Sequence, residues 1–114
     1  LTENTRNLIG AQELALMKPD ALLINTARGG IVDEQALANA LHRGEIGGAA
    51  VDVLTVEPPR DGNPLLDPSI PNLIVTPHTA WASRECRQRL VGEVAEVAEN
   101  IQAFAQGRER NRVA

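Results

Sequence analysis

The stretch Asn72-Leu73-Ile74-Val75-Thr76-Pro77-His78-Thr79-Ala80-Trp81 sets how the rest of the chain is read. Leu73, Ile74 and Val75 form a short apolar, β-branched run between Pro71 and Pro77, the pattern of a short strand covered on both faces. Pro77 has no N–H for a ladder, so the strand should end near Thr76 and leave His78 just past its carboxyl end. In open α/β sheets that edge is where ligands bind. Taken alone, His78 is more simply a loop histidine in water. Two earlier strands ending the same way change that balance.

Working outward, Ala21–Asn25 (A-L-L-I-N) reads as a first strand, followed by Thr26, Ala27, Arg28, Gly29 and Gly30. The paired glycines permit a tight turn and close backbone approach to a ligand. Ile46–Leu54 (I-G-G-A-A-V-D-V-L) reads as a second strand whose small residues would let a helix pack closely, with Asp52 interrupting its end. Between them, Asp33 is a plausible N-cap for a helix through Arg43 with Ala36, Leu37, Ala40 and Leu41 on one face, and Gly44 suits its C′ position. His42 lies in the last turn of that helix and reads as surface, where positive charge complements the dipole.

Ahead of these, Leu1–Thr5 reads as a polar, turn-like loop, and Leu14, Ala15 and Met17 suggest a short helix within 10–18 ended by Pro19. After the second strand, Thr55–Asn72 is a loop rich in Pro, Gly and Asp without helical period. Ser83 caps a long helix running to about Gln106, with Leu90, Val91, Val94, Val97, Ala98, Ile101 and Ala105 as its apolar stripe. Gly107 ends it, leaving a basic tail to Ala114 that reads as a solvated extension. The order helix, strand, helix, strand, loop, strand, helix predicts an α/β fold with a parallel sheet of about three strands, flanking helices and a long C-terminal helix.

Composition narrows the function. The 114 residues are 43% hydrophobic but only 2% aromatic, so the core must be built from Leu, Ile, Val and Ala, as under a helix-covered parallel sheet. Fifteen acids against eleven Lys and Arg give a net charge of −4, which argues against a general nucleic-acid or membrane-surface role. Cys86 is the only cysteine, so no intrachain disulfide forms, and a reducing, cytoplasmic setting is expected. No run reaches membrane-spanning length and no signal peptide is visible. The opening Leu-Thr leads to the expectation of a piece cut from something longer.

In a parallel sheet, Arg28, Asp52, Glu57 and His78 fall on one edge and can converge. An arginine offers a planar fork for a carboxylate, and a carboxylate beside a histidine orients the ring and stabilises imidazolium. Each has a plainer reading: Arg28 as a surface charge, Glu57 as a loop acid before a proline, Asp52 as a turn former. Their coincidence on one edge favours a site.

At these residues the chain closely resembles the carboxyl-terminal part of the nucleotide-binding domain of the D-isomer-specific 2-hydroxyacid dehydrogenases. The resemblance rests on L-T-E-N-T-R-N-L-I, N-T-A-R-G-G-I-V-D-E-Q-A-L, G-A-A-V-D-V-L-T-V-E-P-P and T-P-H-T-A-W, in that order. Within the family, H-T-A-W-A-S-R-E and the terminal N-R-V are most similar to the glycerate dehydrogenase (hydroxypyruvate reductase) branch. The resemblance implies a partial Rossmann-like domain over 1–114, and hydride transfer between NAD or NADP and a small 2-keto acid. Hydroxypyruvate or glyoxylate would go to D-glycerate or glycolate. It implies that Arg28 binds the substrate carboxylate, that His78 is the general acid, and that Glu57 pairs with His78 and favours its protonated form. Asp52 would hold the nicotinamide carboxamide, and Thr5, Thr26, Ala27 and Ala80 would line the cofactor together with Arg28 and His78. Trp81 would border the substrate, or equally pack at a domain or subunit interface.

Departures from the family pattern are equally informative. No G-x-G-x-x-G occurs in these residues, nor the acidic residue that would follow the second strand of a dinucleotide fold. The glycine-rich half and the substrate domain are therefore expected to be missing, and the chain alone is expected to be inactive. The long helix should then expose its apolar stripe and favour association; the family usually forms homodimers through this domain. No metal is expected. A non-catalytic binding protein related to the family's transcriptional corepressors is the alternative reading.

Overall fold

Apolar runs only a few residues long, each stopped by polar or turn-forming residues, make the three strands of the computed structural model, which describes residues 1–111. They are β1 (Leu22–Asn25), β2 (Gly48–Val51) and β3 (Leu73–Val75), parallel and hydrogen-bonded in the order β1-β2-β3. Leu23 lies beside Ala49, and Ala49 beside Leu73; one pleat on, Asn25, Val51 and Val75 align. The chain divides into two units, Leu1–Ala80 and Trp81–Ala114.

In the first unit, α1 (Ala11–Ala15) and the 3-10 turn Pro64–Leu66 pack on α2 (Glu34–His42). Asp33 caps α2, its Oδ1 accepting from the Ala36 N–H at 2.9 Å. At the other end Gly44 takes φ +65°, a left-handed conformation open to glycine at little steric cost. Leu14, Leu37 and Leu41 are buried together with Leu23, Val32, Ile46, Ala49, Val51, Leu65 and Ile70. Each fully buried leucine contributes about 1.5–3 kcal/mol of transfer free energy. On α2, Leu37, Ala40 and Leu41 face the core as expected, Ala38 joins them, and Ala36 is only partly buried.

Three local expectations need correction. β2 is shorter than Ile46–Leu54, because the backbone bends after Val51 to carry Asp52. The glycines near its start accommodate neighbouring backbone rather than a helix: a Cβ on Gly48 would lie 2.9 Å from the Asn72 carbonyl oxygen. The loop 55–72 is not loop throughout, since it holds a 3-10 turn that inserts Leu65, and Ile70 follows it into the core. The polar, turn-like Leu1–Thr5 does form a turn, the 3-10 element Glu3–Thr5.

The run Leu73–Val75 has the pattern of a strand covered on both faces, yet the described residues cover only one face of the sheet. Leu22, Ile24 and Ile74 point away from the core and are 70%, 69% and 64% exposed. An apolar, β-branched run records that both faces avoid water, not which chain covers each one.

The second unit is built on α3 (Arg84–Ala105), capped by Ser83, whose Oγ accepts the Cys86 N–H at 3.1 Å. Its apolar stripe is exposed, with Leu90, Val91, Val94, Val97, Ile101 and Phe104 each more than half accessible. Residues 108–111 are exposed, as expected of a solvated extension, and are also tied back to α3: the Arg108 N–H donates to the Ala103 carbonyl at 2.8 Å, and Arg110 pairs with Glu96 and Glu99. Arg112, Val113 and Ala114, including part of the N-R-V signature, lie outside the described residues.

Candidate active site

Parallel pairing puts the ends of β1, β2 and β3 on one edge, so the residues that follow them share it. After β1, the buried Asn25 shapes the turn. Its Oδ1 accepts the Ala27 N–H at 3.1 Å and its Nδ2 donates to the Arg28 carbonyl at 3.0 Å. The exposed Arg28 side chain donates through Nη1 to the Ala27 carbonyl at 2.9 Å. Gly29 comes so close to the chain after β2 that an added Cβ would sit 1.9 Å from the Leu54 carbonyl oxygen. The close approach expected for the glycine pair is thus made to Leu54, and it seats the Arg28 turn beside the loop that carries Glu57.

After β2, Asp52 is 4% exposed and almost fully bonded. Its Oδ1 accepts from the Thr76 hydroxyl at 2.6 Å and the Thr79 N–H at 2.8 Å, and its Oδ2 from the Ala80 N–H at 2.8 Å. The Thr76 hydroxyl, with the Ala80 and Thr79 amides and nearby His78, holds this carboxyl below the usual carboxylate range against the opposing effect of burial. A carboxylate has about four acceptor positions, so Oδ2 retains capacity for one more donor. Asp52 lines a cavity of about 230 Å³ with Thr26, Ala50, Ile74, Thr79 and Ala80 among its walls.

After β3, His78 takes φ +54°, an unusual conformation for a residue with a side chain, and its N–H donates to the Thr76 carbonyl at 3.0 Å. Its Nδ1 stands 2.7 Å from Glu57 Oε2. Glu57 Oε1 accepts the Leu54 N–H at 2.8 Å, so one oxygen fixes the carboxylate to its own loop and the other holds the ring. The His78 hydrogen bond, aided by the Leu54 amide, keeps the Glu57 carboxyl below its ordinary range. An ionised carboxylate only accepts, so Nδ1 carries the proton. Both side chains are a little over one-third exposed, and they border an open, largely apolar groove of about 580 Å³ formed with Leu54, Pro58, Pro59, Leu66 and Val75.

Asp52, Glu57, His78, Thr26 and Ala80 are therefore gathered at the edge, with Ala27 and Arg28 on the adjoining turn. Thr5 is differently engaged: its hydroxyl lies 3.0 Å from that of Thr2 and accepts the Thr2 N–H at 2.8 Å, while the nearby Asn7 N–H donates to the Gly30 carbonyl at 2.7 Å. Trp81 belongs to the second unit and is 55% exposed. Sequence reading missed Asn25, Thr76 and Thr79. A polar residue closing the apolar run A-L-L-I-N was a usable signal for Asn25; the other two depend on the loop's path. Among the described residues no group of His, Cys, Asp and Glu has the arrangement of a metal site, and no helix is long and apolar enough to cross a membrane.

This arrangement can hold an amide or hydroxyl donor at Asp52 and move a proton at the imidazole. The chain is 55% identical over 97% of its length to glycerate dehydrogenase of Methylorubrum extorquens, covering 34% of that protein. It is 48% identical over 95% of its length to glyoxylate reductase of Aeropyrum pernix, covering 31%. The solved structure of an acyclic imino acid reductase in complex with NADPH and D-Arg matches the whole chain with a TM-score of 0.79 at 36% identity, 34% of that chain being covered. The chain thus spans about a third of the length of these proteins. The family described as D-isomer specific 2-hydroxyacid dehydrogenase, NAD binding domain, matches residues 1–80, and the chain belongs to that family.

Proposed function

We propose that residues 1–114 are the carboxyl-terminal, catalytic portion of the NAD(P)-binding domain of an enzyme that interconverts a small 2-keto acid with its 2-hydroxy acid. Hydroxypyruvate and glyoxylate are the expected substrates, in keeping with the names of the glycerate dehydrogenase and glyoxylate reductase relatives. The observation that carries the reading is the 2.7 Å Glu57–His78 pair on the sheet edge shared with Asp52 and the Arg28 turn.

The residues suit a nicotinamide. The remaining acceptor position on Asp52 matches a carboxamide N–H, and Ala50 and Ile74 offer apolar wall to a flat ring. Bound there, the nicotinamide supplies the hydride for reduction or takes it in oxidation. Thr26, Ala27 and the Ala80 segment line its place, and Thr5 stands on the strap that Asn7 ties to Gly30. Arg28 presents its guanidinium to the substrate carboxylate, a bidentate pairing that fixes the keto group's direction. As negative charge builds on the carbonyl oxygen, the imidazole of His78 delivers a proton to it from Nε2. Glu57 holds Nδ1, so the ring keeps its angle and the charge on protonated imidazole is balanced.

The open sheet face and the exposed stripe of α3 suit cover by further polypeptide and a homodimer, and a single cysteine suits a reducing cytoplasm. Alone, the 114 residues are expected to be inactive. The test is an assay of the complete polypeptide with NADH and NADPH against hydroxypyruvate and glyoxylate. Keto-acid-dependent cofactor oxidation is expected; tight cofactor binding without turnover would favour the corepressor-like alternative and overturn the catalytic reading.

A further inference from the structure

We propose that Glu34 is a positioning residue for the Glu57–His78 pair, holding the loop after β2 where Glu57 can reach the imidazole. This rests on the function proposed for that pair. Glu34 opens α2 beside its cap, yet both of its oxygens serve the distant loop. Oε1 accepts the Thr55 N–H at 2.6 Å and Oε2 accepts from Asn63 Nδ2 at 2.7 Å. Asn63 in turn accepts the Leu65 N–H through Oδ1 at 2.9 Å, capping the 3-10 turn. A single carboxylate therefore ties both ends of segment 55–63 to the start of α2. That helix is fixed in the core by Leu37 and Leu41, 0% and 2% exposed.

Glu57 lies inside the tied segment. Its carboxylate is reached from behind by the Leu54 N–H, next to the Thr55 amide that Glu34 holds. Bonds to an ionised acceptor are stronger than neutral ones, and a negative charge is favoured in the first turn of a helix. Glu34 bonds to Thr55 and Asn63, not to Glu57 or His78, so its influence passes through the loop backbone. Releasing it lets Thr55–Asn63 drift and misplaces the Glu57 carboxylate, while Arg28, whose turn is shaped by Asn25, keeps its own support.

The test combines kinetics and spectroscopy. In the complete polypeptide, Glu34→Ala is expected to lower kcat about ten- to a hundredfold, the scale for a misplaced group, with little change in the KM for keto acid. Glu34→Gln keeps the Thr55 acceptor and should restore part of the rate. Glu34→Asp keeps the charge but is one methylene too short, and should not. A merely structural role would instead lower activity in step with the folded fraction and rank the variants by melting point. Independently, ¹⁵N NMR of the chain's two histidines reads the pair itself. The hydrogen-bonded Nδ1–H signal of His78 should be present in the wild type and lost in Glu34→Ala. Asn63→Ala, which releases the second tie and the cap of the 3-10 turn but leaves the Thr55 tie in place, provides the same reading if Glu34→Ala does not fold. A His78 signal unchanged in these variants would overturn the proposal. Absent turnover in the wild type would overturn the function of the pair and leave NMR to decide positioning.

Discussion

Asp52 and Glu57 follow the same strand and are both held ionised, but their surroundings differ. Asp52 is 4% exposed and accepts three donors from the segment that follows β3. Glu57 stands partly in solvent, with one backbone donor and one imidazole as partners. The first carboxylate closes the chain after β3 onto the end of β2, and so builds the edge. The second leaves a titratable ring at a groove, within reach of a ligand. Similar side chains a short distance apart are thus sorted by burial and by what they bind into one fixed within the frame and one left at a groove.

Removing one member at a time tests that contrast. His78→Ala in the complete polypeptide should reduce kcat by about a hundred- to ten-thousandfold and move stability by no more than about 0.5 kcal/mol, as read by steady-state kinetics and a denaturant melt. Leu37→Ala, in the core under the sheet, should do the reverse. It should cost about 2–5 kcal/mol and leave the rate per folded molecule nearly intact. Gly29→Ala sets a methyl against the Leu54 backbone and should cost about 1–3 kcal/mol. Because it parts the Arg28 turn from the Glu57 loop, it should also raise the KM for keto acid; an unchanged KM would show that the two loops are seated independently.

The smallest effect expected is on acid stability. Both carboxyls sit below their ordinary range when folded, so on acidification the unfolded chain takes up protons first. Stability should therefore be fully present above the ordinary carboxylate range, about pH 4, and decline as pH falls through the lowered folded values. Asp52→Asn should flatten that decline in denaturant midpoints taken across the acid range. A slope unchanged by the substitution would mean that Asp52 is not a frame carboxylate.

Much of this was legible beforehand. Leu73–Val75 between two prolines located β3 and His78 residue for residue, since proline acts locally. Asp33, Ser83, Gly44 and Gly107 marked helix ends because capping depends only on near neighbours. What stayed hidden was long-range. Glu34 finds its partners 21 and 29 positions away, and nothing in V-D-E-Q-A-L separates it from an ordinary first-turn acid. Leu65 and Ile70 entering the core from a Pro- and Gly-rich loop are equally non-local. The open face of the sheet was hidden for another reason: Ile24 and Ile74 have the composition of covered residues whatever supplies the cover.

In the proposed reaction Glu57 and His78 should act as one proton-transfer unit. Its most direct measurement is a double-mutant cycle on kcat/KM in the complete polypeptide, using Glu57→Gln, His78→Ala and both together. Groups that act only through each other are not additive. With His78 already gone, adding Glu57→Gln should lower kcat/KM no further than about twofold. A double variant as slow as the product of the two single losses would contradict the claim.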